Sequence, residues 1–208
     1  MKILMVQIPK TAGVSIHRLL KSIPAYQNLG HRTILANDAQ KYKNYFKIST
    51  IRNPFDRLVS MYFWITTGKY KHQYGSSLKK YKSCENFLDN FNQFYKNNVQ
   101  KYETNFTEYC NKMGVGVSHK WFTGHIPQHK FICDEIGNIK VDFLLRFEEL
   151  KNDSEKLCQK LNVKYSKLQH INQTKHKNYK DYYNESRVNQ VKSIYKKDFE
   201  IFGYSTNL

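Results

Sequence analysis

Short apolar runs alternate along this 208-residue chain with stretches of helical periodicity. Ile3-Leu4-Met5-Val6-Gln7-Ile8 is almost wholly apolar and stops at Pro9. A run of that length, closed by a turn former, predicts a strand buried on both faces, as in a parallel sheet. Val14, Ile16, Leu19, Leu20 and Ile23 then recur at helical spacing. Phe46-Lys47-Ile48-Ser49-Thr50-Ile51 predicts a second strand. After Asn53-Pro54, the residues Leu58, Val59, Tyr62 and Phe63 mark one face of a helix, with Pro54 suited to its first position. Phe87, Leu88, Phe91, Phe94 and Tyr95 make a further helical face. Val141 to Phe147 predicts a third strand, Leu157, Cys158 and Leu161 a short helix, and Val188, Val191, Ile194, Tyr195 and Phe199 a C-terminal helix. Strand–helix alternation of this kind argues for an α/β fold: a parallel sheet flanked by helices. Ligands of such sheets bind beyond the carboxyl ends of the strands, so chemistry is expected in the loops after Ile8 and Ile51. The chain holds no internal repeat and no Pro/Gly/Ser linker, and its length suits one domain over residues 1–208.

Composition narrows the class. Hydrophobic residues make up 40% and aromatic residues 15%, which argues against disorder. No apolar run nears the roughly 18 residues of a membrane span. The apolar stretch Met1 to Ile8 is too short for a secretory leader, and no small-residue cleavage site follows it, so a cytoplasmic location is expected. Cys84, Cys110, Cys133 and Cys158 are far apart and form no CxxC or Cys/His zinc pattern, so reduced thiols and no metal are expected.

Charge adds less than its size suggests. The 34 basic and 17 acidic residues give a net +17. Such a Lys/Asn/Tyr-rich composition arises from an AT-rich genome as readily as from an anionic partner. The distribution is uneven, however: residues 1–50 carry eight cations and one acid, Asp38, whereas residues 131–150 carry two cations and five acids. That asymmetry suggests a local anion site near the N-terminal part.

Two segments fit such a site. Gln7-Ile8-Pro9-Lys10-Thr11-Ala12-Gly13-Val14-Ser15-Ile16 runs from strand to helix. Unsatisfied N–H groups at a helix start favour anions, and the ammonium of Lys10 and the hydroxyls of Thr11 and Ser15 add to them. An ordinary strand–turn–helix is the plain alternative for this string. It is not the nucleoside-triphosphate loop GxxxxGK[ST], because no Gly-Lys-Ser/Thr occurs in the chain. The second segment is Thr50-Ile51-Arg52-Asn53-Pro54-Phe55-Asp56-Arg57-Leu58-Val59-Ser60. Arg52 leaves the strand end and offers a planar fork suited to phosphate, and Ser60 lies two turns into the helix. Asp56 and Arg57 read as structural. Two basic strand-to-helix turns in one small fold imply a ligand with two separated anionic groups.

At these residues the chain resembles the sulfotransferases. Ile8-Pro9-Lys10-Thr11-Ala12-Gly13-Val14-Ser15 is similar to their 5′-phosphosulfate loop, and Arg52-Asn53-Pro54-Phe55-Asp56-Arg57-Leu58-Val59-Ser60 to their 3′-phosphate motif. Asp142-Phe143-Leu144-Leu145-Arg146-Phe147-Glu148-Glu149-Leu150 resembles the DFxxRFExL strand of the carbohydrate branch. Gln169 to Tyr179 resembles its late HxNxSxxxxY loop, and Asp198 to Tyr204 its terminal DxxxFGY. The resemblance implies a P-loop-like sulfotransferase fold and the donor 3′-phosphoadenosine 5′-phosphosulfate (PAPS). It also implies transfer of a sulfuryl group to an acceptor hydroxyl, here a carbohydrate, with release of 3′,5′-ADP and no metal. It assigns Lys10 to the bridging oxygen of the leaving nucleotide. Thr11, Ala12, Gly13, Val14 and Ser15 hold its 5′ end, and Arg52 and Ser60 its 3′-phosphate. Thr174 and Lys175 are candidates to close over the nucleotide, or else belong to a solvated Lys-rich loop. Residues 66–125 match least and are expected to carry acceptor specificity, some of their Lys meeting an acidic glycan.

The acceptor hydroxyl needs a base. Gly30-His31-Arg32-Thr33 resembles the family's GHxT segment, and His31 is the candidate, since imidazole accepts a proton near neutral pH. Some related enzymes use Glu instead, which brings in Glu103 and Glu108; His119, His125 and His129 are further rivals. Two other functions remain as alternatives. A P-loop kinase would show Mg²⁺-dependent ATP hydrolysis. A basic nucleic-acid-binding protein would show steep salt dependence and indifference to PAPS.

Overall fold

The computed structural model describes residues 1–67, 78, 80–113, 121–168 and 174–208. In chain order the elements begin with β1 (Ile3–Val6), α1 (Gly13–Leu20), β2 (Tyr26–Gly30), β3 (Phe46–Ile51) and α2 (Pro54–Thr66). The middle holds α3 (Cys84–Asp89), α4 (Phe91–Asn98), α5 (Gln100–Thr104), α6 (Phe106–Met113) and α7 (His129–Ile132). The last part holds β4 (Phe143–Arg146), α8 (Leu150–Leu161), α9 (Glu185–Ile194) and α10 (Lys196–Phe202). Two compact units result. One comprises Met1–Arg52, Asn105–His119 and Gln128–Ile171, the other Asn53–Thr104, Lys120–Pro127 and Asn172–Leu208.

The first unit holds a parallel sheet in the order β2-β1-β3-β4. All four residues of β1 are buried, as its unbroken apolar run requires. Ile3 and Met5 of β1 share one face with Ile48 of β3 and Leu145 of β4. There they pack against Ile16 and Leu20 of α1 and Leu157 of α8. Fully burying each such side chain contributes roughly 1.5–3 kcal/mol. Ser49, wholly buried in β3, satisfies its hydroxyl by donating to the Val6 carbonyl at 2.8 Å. The ladder between β3 and β4 ends at the pair Ile51 and Arg146. Beyond it, the Asp153 carboxylate accepts from the Arg146 N–H at 2.9 Å. The strand–helix alternation is therefore the α/β architecture expected.

Details differ from the sequence reading. β1 ends at Val6, two residues short of the predicted strand end, although the Gln7 N–H still donates to the Gly30 carbonyl of β2 at 2.9 Å. β2 is not foreshadowed by any apolar run: it is an edge strand, and of its residues only Leu29 is buried. The two long helical faces are each broken in two, at Asn90 between α3 and α4 and at Tyr195 between α9 and α10.

The second unit is helical. Asn53 caps α2 by accepting from the Phe55 N–H at 2.9 Å, Pro54 opens the helix, and Asp56 sits in its first turn, favourable to the dipole. Arg57, 2% exposed, donates through Nη2 to the carbonyls of Gly124 and Ile126 at 2.9 and 3.0 Å. A Cβ at Gly124 would lie 1.8 Å from Met61 Cε, so any larger residue there would require the Met61 side chain to move. Phe87, Phe91 and Phe94 surround the ring of His125, and Tyr195 donates its hydroxyl to the His125 carbonyl at 2.8 Å. Arg187 of α9 forms a forked pair with Asp89 at 2.7 and 3.1 Å. Among the described residues no helix is long and apolar enough to cross a membrane.

His125 has a measurable consequence. Complete burial, with the charge of Arg57 second, pushes its imidazole down to about 3 from the ordinary 6.5. Below pH 6.5 the unfolded chain therefore takes up a proton that the folded chain refuses, and stability falls with pH. The expected loss is about 1.4 kcal/mol per pH unit from this residue. Urea unfolding at pH 6.5 and pH 5 should show about 2 kcal/mol of acid destabilisation, reduced in His125→Phe. Equal acid sensitivity in the variant would contradict this.

Candidate active site

The loop after β1 is built by backbone conformations that side chains resist. Lys10 and Ala12 both occupy the left-handed region, with φ of 66° and 67°. Each costs on the order of 1 kcal/mol or more for a residue with a Cβ, and such strain concentrates at functional sites. Thr11, wholly buried, fixes the turn by donating its hydroxyl to the Ile8 carbonyl at 2.9 Å. Ala12 begins α1 and its carbonyl accepts from the Ser15 N–H at 2.9 Å. Ala12 has no side-chain group to cap this helix start, and no acid lies in its first turn. Its leading N–H groups and dipole therefore favour an anion. Gly13 is buried close to Gln7, where an added Cβ would meet Gln7 Cγ at 3.2 Å. Ser15 is buried beside it, and Val14, half-buried, has only its backbone to offer.

Arg52 reaches this loop. Its Nη1 donates to the Lys10 carbonyl at 3.1 Å. The guanidinium also lies over the ring of Phe147, 3.8 Å from the centroid. Burial, with the nearby Arg52 charge second, pushes the Lys10 ammonium down to about 7. Two cations held together with little solvent are poised for a ligand that brings negative charge. The backbone of Arg52 is held as firmly as its side chain. Gln128, wholly buried, accepts from the Arg52 N–H at 3.0 Å and donates to the Arg52 carbonyl at 2.8 Å.

His31, half-buried just past β2, has Nδ1 2.9 Å from the carbonyl of Gln7. A carbonyl only accepts, so Nδ1 carries the hydrogen and the ring's lone pair lies on Nε2. That is the tautomer a general base needs, fixed by the residue that opens the Lys10 loop. In the first unit the structure thus brings together Lys10, the Thr11–Ser15 turn, Arg52 and His31.

In the second unit it brings together two others. The hydroxyls of Ser60, 2% exposed in α2, and Thr174 are 3.5 Å apart. Lys175 is exposed beside Thr174. The segment that follows is tied to α2 by a stack of His176 on Phe63 at 5.2 Å and by a hydrogen bond from Tyr183 Oη to the Phe55 carbonyl at 2.9 Å.

Other candidates are placed elsewhere. His125 lies in its phenylalanine cage, and Glu103 accepts from the hydroxyl of Tyr95 at 3.0 Å. Glu108 is exposed and pairs with Lys112, and His129 opens α7, buried. His119 and residues 169–173 of the late loop lie outside the described residues. Among the described residues no group of three or more His, Cys, Asp or Glu could hold a metal ion. Sequence reasoning missed Gln128 and Phe147. Phe147 was visible only as a letter in the DFxxRFExL strand.

The left-handed loop, the helix start without a side-chain cap and the Arg52–Lys10 bond lie together past the carboxyl ends of β1 and β3, an arrangement suited to an anion. The model of the sulfotransferase family matches residues 1–205. The chain belongs to the sulfotransferase family. As a sulfotransferase it transfers a sulfuryl group to a hydroxyl-bearing acceptor, which sets aside the kinase and nucleic-acid readings. Searches among curated proteins and among solved structures returned no match. The Lys10 and Arg52 turns that resemble the family's phosphate motifs follow the carboxyl ends of β1 and β3.

Proposed function

We propose that this sulfotransferase uses PAPS as donor and a carbohydrate hydroxyl as acceptor. The observation that supports the donor best is the bond from Arg52 Nη1 to the Lys10 carbonyl. It joins two basic strand-to-helix turns, as a nucleotide with two separated anionic groups requires. The residues suit that group, with two cations, hydroxyls, uncapped N–H groups and no acid in the first turn of α1. When bound, PAPS supplies a sulfuryl group that passes in line to the acceptor as 3′,5′-ADP departs.

The chain's own residues then have distinct tasks. Lys10 steadies negative charge growing on the bridging oxygen. The backbone N–H groups of Thr11, Ala12, Gly13 and Val14, with the hydroxyl of Ser15, hold the 5′ end in place before reaction, the Thr11 hydroxyl being spent on the Ile8 carbonyl. Such preorganised donors are worth about 3 kcal/mol each where charge develops. Arg52 takes the 3′-phosphate, and Ser60, eight residues further along the same motif, adds a hydroxyl donor to it. Thr174 and Lys175 close over the nucleotide. Nε2 of His31 removes the acceptor proton. Residues 66–125, where the family motifs are weakest, select the acceptor, and the carbohydrate class rests on the DFxxRFExL, late-loop and DxxxFGY resemblances.

The experiment is a radiolabelled sulfuryl-transfer assay from PAPS to a panel of neutral and acidic glycans, phenols and lipid alcohols. Label on a glycan is expected. Label on phenols or lipids alone would overturn the acceptor class, and no transfer from PAPS to any acceptor would overturn the donor.

A further inference from the structure

We propose that Gln128 and Phe147 are positioning residues for Arg52, setting the backbone and the plane from which its guanidinium meets the 3′-phosphate. The proposal rests on the PAPS reading above. Neither residue carries a charge or touches the reacting atoms. Both act on a single residue, from two directions.

The first direction is the main chain. The β3–β4 ladder ends at Ile51 and Arg146, so the peptide groups of Arg52 lie one step past the last strand pair. Gln128 continues the ladder with a side chain. Its carboxamide presents an acceptor and a donor in one plane, as a peptide group does, and uses both on Arg52, at 3.0 and 2.8 Å. The amide lies 76 residues away in sequence and is wholly buried. A buried carboxamide spent on one residue's N–H and C=O fixes where that side chain leaves the sheet.

The second direction is the face of the guanidinium. Phe147 follows the last residue of β4, and Arg52 Cζ lies 3.8 Å above its ring centre. Stacking occupies the flat face and leaves the in-plane N–H donors to hydrogen bonds. One of those donors already goes to the Lys10 carbonyl. Backbone clamp, ring and carbonyl together remove the freedom that a long side chain would lose on binding. The gain should appear only for ligands that use Arg52.

The test compares affinities of 3′,5′-ADP and 5′-ADP by calorimetry in the full chain. In Phe147→Leu the preference for 3′,5′-ADP should fall by about tenfold, with 5′-ADP affinity unchanged. Phe147→Met, which keeps bulk but not the ring, should behave alike, so one folded variant of the two suffices. Phe147→Tyr should restore the wild-type ratio. Gln128→Glu, which replaces the donor with a charged acceptor of the same shape, should lower the ratio further. A purely structural role would lower the melting temperature without moving the ratio; an unchanged ratio in folded Phe147 variants would overturn the proposal. If the wild-type protein itself shows no preference for 3′,5′-ADP, the PAPS reading falls first, and this proposal with it.

Discussion

Replacing Lys10 with Met is expected to lower sulfuryl transfer about a thousandfold while leaving the protein at least as stable as before. In the role proposed for Lys10, the loss follows from removing a positive charge from developing negative charge, where one donor is worth up to about 10³ in rate. The stability follows from the free protein. There the ammonium lies beside Arg52 and is pushed down to about 7, burial being the larger cause. Met keeps the stem and the left-handed backbone cost but has no charge to desolvate. A residue that improves activity yet not stability is the mark of a site held against the preferences of the fold. Kinetics and a melting curve on the same sample check both halves.

The same shift gives a pH signature. Below pH 7 Lys10 is already charged in the free protein, and binding an anionic nucleotide changes no proton on it. Above pH 7 the free ammonium has lost its proton, and binding must restore it. Affinity for 3′,5′-ADP should therefore fall as pH rises from 7 towards 9, by up to about tenfold per unit, with proton uptake visible in buffers of different ionisation enthalpy. Lys10→Met should abolish that uptake.

The second large effect is at His31. His31→Ala and His31→Asn should each lower turnover by about 10²–10⁴, the usual worth of a positioned base, while 3′,5′-ADP binds as before. Asn is the sharper variant, because its amide can still donate to the Gln7 carbonyl in place of Nδ1–H. If loop support were the role of His31, Asn would retain activity and Ala would not. Near-normal turnover in His31→Ala would pass the role of base to another residue.

How much of this was legible depended on how local each cause is. β1 announced itself because a strand buried on both faces needs an unbroken apolar run, and β3 because Phe46, Ile48 and Ile51 stand among β-branched and small polar residues just before Asn53-Pro54. β2 did not, because Tyr-Gln-Asn-Leu-Gly at a sheet edge buries one side chain and is held by pairing with β1. The helical faces around Phe91 and Val191 were visible, but the breaks at Asn90 and Tyr195 were not, since neither is marked by a proline or glycine. Lys10 and Arg52 stood out as cations at the ends of apolar strands. The left-handed backbone at Lys10 was hidden, since nothing in Pro-Lys-Thr-Ala signals it. Gln128 was invisible, because its meaning lies in a backbone 76 residues away. His125 drew notice as a histidine, yet the phenylalanines that enclose it were the same ones that marked the helical face.

The central claim is that the two basic turns hold a nucleotide by its 3′-phosphate as well as by its 5′ end. Thermal unfolding with 3′,5′-ADP and, at equal concentration, 5′-ADP tests it most directly. A ligand that binds only the folded state stabilises it by mass action, by about 2.7 kcal/mol at a hundred times its Kd. For a chain of this length that raises the melting temperature by roughly 5–10 °C. We expect 3′,5′-ADP to give a shift of that order and 5′-ADP little or none; equal shifts from the two would contradict the account.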